Sequence, residues 1–216
     1  MREIIKVVKE KLVAKYLKDG SIKNYSKRAK KFKPRIKARL RKNKQIIGKN
    51  IGNFFDWIKG AELVELKECN TKEDPVRPEL DNTFRRSYGR KIFGVKYKRE
   101  IHAVMCFAYT NEIPKSVEEL DIMSQDAHLQ STLRGQNVGK IAIAYTVWSK
   151  KKGGGKLIVK EVFDKIKKSN HLNRLVTLSP LTDMAYKFHI KNGAKLISVN
   201  ETTQNFEYKV IKNKKY

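Results

Sequence analysis

The sequence predicts an α/β chain, an α+β layer around one mixed central sheet with flanking helices, preceded by a basic helical arm. Three observations carry this. The spacing of apolar residues changes near residue 61, from every third or fourth position to short continuous runs. Beyond that point, strand-like and helix-like stretches alternate and end in two strands. Charge is also divided unevenly: residues 1–60 hold 20 of the 49 Lys and Arg but only 4 of the 22 Asp and Glu.

In the arm, Ile4, Val8, Leu12 and Tyr16 recur every four residues, and "KDGS" (18–21) breaks the helix they define. Tyr25, Ala29, Phe32, Ile36 and Leu40 form a second apolar stripe, kinked at Pro34. "NFFDWIKG" reads as a short apolar helix closed by Gly60. Residues 1–60 are thus expected to be amphipathic helices with too little apolar surface for a core of their own.

Residues 61–216 are expected to form the domain. "AELVELKE" and "IHAVMCFAYT" read as strands, with a helix or ordered loop in "RPELDNTFRRSYG" between them. "IPKSVEELDIMSQ" begins, after Pro114, as a short helix with acidic residues in its first turn. "KIAIAYTVW" suits a strand buried on both faces. The next helix places Ile158, Val159, Val162, Phe163 and Ile166 on one face. "RLVTL" is a strand, "PLTDMAYKFHIKN" a helix ended by Gly193, and "AKLISV" and "NFEYKVI" a closing hairpin. Ser179 followed by Pro180 reads as a helix start, serine capping and proline in the first helical position.

The 216 residues suit one domain plus an extension, and 40% hydrophobic residues fit a globular chain. No apolar run approaches the roughly 18 residues of a membrane span, so no membrane partner is expected. The N-terminus is charged throughout, unlike a signal peptide. Cys69 and Cys106 lie in strand-like surroundings without ligand spacing, which points to buried thiols in a reducing, cytoplasmic setting. His102, His128 and His171 are scattered, so no metal is expected. The net charge of +27 favours a polyanion such as nucleic acid. The candidate contacts are Lys27, Arg28, Lys30, Lys31, Lys33, Arg35, Lys37, Arg39, Arg41 and Lys42, interleaved with Phe32, Ile36 and Leu40.

"YTVWSKKKGGGKLIVKEVF" runs from strand through a glycine loop into a helix. That arrangement offers bare backbone amides and a positive helix end to phosphate. Gly153, Gly154, Gly155 and Lys156 would supply amides; Lys150, Lys151, Lys152 and Lys156 would add charge. The stretch lacks the Ser or Thr of a P-loop and the spaced glycines of a dinucleotide fingerprint.

Lys150-x-x-Gly153-x-Gly155 resembles the pyrophosphate loop of the GNAT superfamily of acyl-CoA-dependent N-acyltransferases, with lysine where that family has Gln or Arg. "AYKFHIKNGAKLI" (185–197) resembles its second landmark, with His189 at the place of the tyrosine that protonates the departing thiolate. Over residues 74–210 the chain is also similar to the catalytic domain of malonyl-CoA decarboxylase. The matching pieces are "FRRSYG", "FAYTNEIPKSVEEL", "AIAYTVWS", "TLSPL", "FHIKNGAKL" and "NFEYKV", in order.

These resemblances imply a GNAT-like sheet and an acyl-coenzyme A substrate, acetyl-CoA or malonyl-CoA. They imply Ser179 and His189 as catalytic residues, and pantetheine pairing with the main chain around Val147 and Trp148. Tyr145 and Trp148 otherwise read as sheet packing. Three functions stay open: N-acyl transfer to an amine, decarboxylation of malonyl-CoA, and nucleic-acid binding or a structural role on a non-catalytic GNAT-like fold.

Overall fold

Seven strands form one mixed sheet in the order β1-β2-β3-β4-β5-β7-β6. The computed structural model describes Lys42, residues 56–137 and residues 139–209. The strands are β1 (Glu62–Leu66), β2 (Lys91–Tyr97), β3 (Glu100–Thr110), β4 (Ile141–Ser149), β5 (Arg174–Pro180), β6 (Lys195–Val199) and β7 (Thr203–Tyr208). The helices are α1 (Asn82–Arg86), α2 (Val117–Arg134), α3 (Gly154–Lys168) and α4 (Asp183–Lys191). Every neighbouring pair is antiparallel except β4 and β5.

β3 and β4 run through the middle of the sheet, and their apolar sequences follow from cover on both faces. One core lies under α3, where Ile158, Val159, Val162 and Ile166 meet Phe93, Ala142, Leu175 and Phe206. The other holds Ile92, Cys106, Ile143, Tyr145 and Leu178, closed by Leu120 of α2 and Phe84 of α1. Trp57, in the helical residues 56–60, is fully buried in the first core and meets Tyr97 edge-on at 5.4 Å. The tryptophan read from sequence as part of the arm therefore packs with the sheet.

Two elements differ from expectation. β2 was not foreseen; it pairs on both sides, and its hairpin to β3 turns at Lys98 and Arg99 with φ of 49° and 70°. α2 has 18 residues rather than a short span. Ser116 caps it, accepting from the Glu119 amide at 3.2 Å, and Gly135 ends it at φ 62°. None of the described helices is long and apolar enough to cross a membrane, and no three His, Cys, Asp or Glu among the described residues gather as a metal would need.

Candidate active site

β4 and β5 pair over only four positions, from Ile141↔Arg174 to Ala144↔Thr177. The reason for their divergence lies on the other side of β4. There Cys106 pairs with Thr146 and Phe107 with Ala144, which leaves Tyr145 as an extra residue. Such a bulge bends its strand and sharpens the local twist. Beyond it β4 stays with β3, β5 stays with β7, and a cleft of about 220 Å³ opens between them. Its walls are apolar for the most part: Met105, Ala144, Val147, Leu178, Met184 and Phe188.

The apex of this opening is held by residues that sequence reasoning missed. Arg77 Nε donates to the Tyr145 carbonyl at 2.9 Å, and Nη2 donates to the Leu178 carbonyl at 3.1 Å. Asp74, 2% exposed, accepts from Arg85 Nη2 at 2.8 Å and from the Thr146 hydroxyl at 2.8 Å. It also accepts the amides of Val76 and Arg77, at 2.9 and 3.2 Å. Arg85 donates in addition to Cys106 Sγ at 3.3 Å and to the Arg77 carbonyl at 2.8 Å. The one sequence signal was "FRRSYG", which contains Arg85.

Ser179 does not cap a helix. It is the last residue but one of β5, paired with Gln204, and Pro180 follows it in the strand opposite Thr203. The cap of α4 is Thr182, whose hydroxyl accepts from the Ala185 amide at 3.2 Å. Pairing with β7 outweighed the local preference of Ser-Pro for a helix start. The consequence is positional: Ser179 stands in the cleft wall, and α4 brings His189 in its last turn back to it.

Ser179 Oγ and His189 Nε2 are 2.9 Å apart; His189 Nδ1 and the Tyr208 hydroxyl are 2.9 Å apart. The imidazole stacks on Phe206 at 4.8 Å. Burial holds His189 down at a pKa of about 4, because desolvation penalises imidazolium. The ring is therefore neutral at pH 7, with a single proton. Burial pushes the Tyr208 phenol up, so it keeps its proton too.

One arrangement uses every proton once. Tyr208 O–H donates to Nδ1, Nε2–H donates to Ser179 Oγ, and Ser179 O–H donates to Thr177 Oγ1 at 3.0 Å. Unlike the carboxylate of a Ser-His-Asp triad, a phenol gives an imidazolium no charge to lean on. The set is an uncharged row of donors rather than a strong base. Tyr208 was not singled out from sequence, and only its place in the closing strand was legible.

The glycine loop starts α3 with Gly153 in the left-handed region, φ +86°. The amide of Gly154 is closed onto the Lys151 carbonyl at 2.9 Å, so it is not one of the bare amides expected from sequence. Those of Gly155 and Lys156, second and third in the helix, bond no described backbone carbonyl. They leave the start of α3 with open backbone donors. Gly155 lines the cleft, where a Cβ would meet Phe188 at 3.2 Å.

The lysines divide. Lys150 is paired with Glu73 at 2.7 Å, and Lys151 lies over the rings of Trp57 and Tyr97 at 4.6 and 4.8 Å. Lys152 and Lys156 are exposed. Val147 and Trp148 both line the cleft; Trp148 is buried, with the Arg85 guanidinium 5.4 Å from its ring. The cleft thus brings together Ser179, His189, Gly155, Val147 and Trp148. Of the ten basic residues proposed for a polyanion, Lys42 is helical and exposed, and the other nine lie outside the described residues.

The fold has counterparts among solved structures. GphF, a GNAT-like decarboxylase in complex with isobutyryl-CoA, matches with a TM-score of 0.54 and 9% identity, over 69% of this chain and 100% of its own. The loading GNATL domain of CurA from Lyngbya majuscula matches with a TM-score of 0.51 and 12% identity, over 69% and 98%. The malonyl-CoA decarboxylase of Agrobacterium vitis matches with a TM-score of 0.47 and 16% identity, over 69% of this chain and 41% of that enzyme. This chain therefore spans about two fifths of that enzyme's length. No family model matches the chain, and no curated protein matches it in sequence. The fold is GNAT-like: a mixed seven-stranded sheet, parted between β4 and β5, with helices on both faces.

Proposed function

We propose that the protein binds a coenzyme A thioester between β4 and β5 and removes carbon dioxide from a malonyl-type acyl group. The observation that carries this is the uncharged Ser179–His189 pair in a cleft that no Asp or Glu among the described residues lines. Transfer to an amine needs an acceptor for the ammonium proton. An imidazole with a pKa of about 4 is a poor one at neutral pH, and no carboxylate among the described residues lines the cleft to help. Decarboxylation needs no base.

The step balances without a further reactant. The bond from Cα to the carboxylate breaks, carbon dioxide leaves, and the electron pair passes to Cα and the thioester oxygen as an enolate. The Ser179 hydroxyl would turn from Thr177 to meet that charge as a donor, with Nε2–H of His189 held on its oxygen. One proton then reaches Cα through this pair and is replaced from water. The apolar walls act in the same direction, since a localised carboxylate loses more by leaving water than a spread enolate does.

Pyrophosphate would lie on the amides of Gly155 and Lys156, with Lys152 and Lys156 supplying positive charge and the main chain near Val147 facing pantetheine. The likeness in fold to a decarboxylase solved with isobutyryl-CoA supports a thioester ligand. The excess charge of residues 1–60 would add affinity for a polyanion, independently of the cleft.

Incubation with malonyl-CoA tests the reading. Carbon dioxide and acetyl-CoA are expected in equal amounts, with no free thiol, and His189→Gln should abolish both. Free thiol with an acylated amine and no carbon dioxide would assign N-acyl transfer instead.

A further inference from the structure

We infer that Arg77 is a positioning residue that fixes how far β4 and β5 part, and thereby which acyl groups the cleft admits; the selectivity rests on the thioester reading above. The parallel ladder between β4 and β5 is short. Its last pair is Ala144↔Thr177, and the next residues on each strand are Tyr145 and Leu178. Their carbonyls are the two that Arg77 holds, at 2.9 and 3.1 Å. One guanidinium thus occupies the place of the next rung.

A guanidinium is planar, and its donors are fixed relative to one another. The gap at the apex is therefore set by the shape of that group, not by the roughly 4.8 Å spacing of a β ladder. The loop carrying it is pinned on both sides. Asp74 ties its amide to Thr146 of β4, and Arg85 of α1 donates to its carbonyl. Arg77 itself is 8% exposed. Burying a cation against carbonyls is costly, and an apolar side chain would fill the space more cheaply but would fix no distance. Its neighbour Val76 lines the cleft, as do Met105 and Ala144.

Two variants test this, each checked for a native circular dichroism spectrum. Arg77→Lys keeps the buried charge but reaches one carbonyl; Arg77→Gln removes the charge. Should Arg77→Gln fail to fold, Arg77→Lys carries the test. Titration calorimetry would compare coenzyme A, acetyl-CoA, malonyl-CoA and isobutyryl-CoA. We expect Kd for coenzyme A, which has no acyl group, to shift less than about twofold, and the spread of Kd across the thioesters to narrow at least about threefold.

Hydrogen exchange gives a readout that needs no ligand. Amides of 145–149 and of Leu178 and Ser179 should exchange at least about tenfold faster, with 141–144 and 174–177 unchanged. An unchanged spread of Kd, or faster exchange across the whole sheet, overturns the inference. If wild type binds neither coenzyme A nor any thioester, the function proposed above fails, and the exchange pattern still decides whether Arg77 sets the gap.

Discussion

The Tyr208 hydroxyl sits 2.9 Å from Nδ1 of His189, on the side of the ring away from Ser179. A phenol that donates there leaves the ring's one proton on Nε2, aimed at the serine. Tyr208→Phe removes that instruction while keeping the ring that packs under α3. We expect turnover of malonyl-CoA to fall about tenfold to a hundredfold with a smaller change in KM, matching the loss of about 1–3 kcal/mol for a buried group left without its partner. Nitrogen-15 spectra of the imidazole check the cause: the Nε2–H form should dominate in wild type and give way to a mixture in the variant.

The depressed pKa of His189 makes acid destabilising. Its folded value is about 4 against an ordinary 6.5, so between these the unfolded chain binds a proton that the folded chain does not. Stability therefore rises with pH across that window and is lost as pH falls through it, by about 3 kcal/mol from this one group. Urea unfolding at a series of pH values measures the slope. His189→Gln should flatten it between pH 4 and 6.5, and a slope identical to wild type would refute the account.

Gly155 is where the helix end meets the cleft. A side chain there runs into Phe188, 3.2 Å from the position of a Cβ, at a residue that carries one of the two open amides. Gly155→Val should weaken coenzyme A binding at least about tenfold, equivalent to about 1.4 kcal/mol. Calorimetric titration reads the loss, and thermal unfolding separates it from damage to the fold.

Asp74 and Arg85 form an ion pair at 2.8 Å with both side chains fully buried. Asp74→Asn strands the guanidinium and should cost about 3–5 kcal/mol of stability. Lys91→Ala, which breaks the half-exposed pair with Glu65, should cost less than about 1 kcal/mol. Equilibrium denaturation of the two variants side by side measures the contrast.

How much of this was legible in the sequence follows from how local each signal is. The helix after the glycine loop and the buried strand before it were readable because their apolar spacing is continuous. β2 was hidden by its turn, since Lys98 and Arg99 take the positive φ that usually announces itself as Asn-Gly. The length of α2 was hidden because Ile122, Leu129 and Leu133 face outward, so its apolar residues do not trace one stripe. Ser179 and His189, ten residues apart, could be named together. Arg77 could not, because its partners lie 68 and 101 residues away and only the folded sheet brings them near.

The extra residue in β4 has a consequence for how such a cleft arises. Ala144 and Val147 both meet the core under α3, while Tyr145 and Trp148 both belong to the core on the opposite face. Strict alternation is broken once, between them. Removing one amino acid there would restore it and leave every residue downstream on the face it now occupies. The opening thus turns on count as well as on chemistry: between Ala144 and Thr146, β4 carries one residue more than the facing stretch of β3.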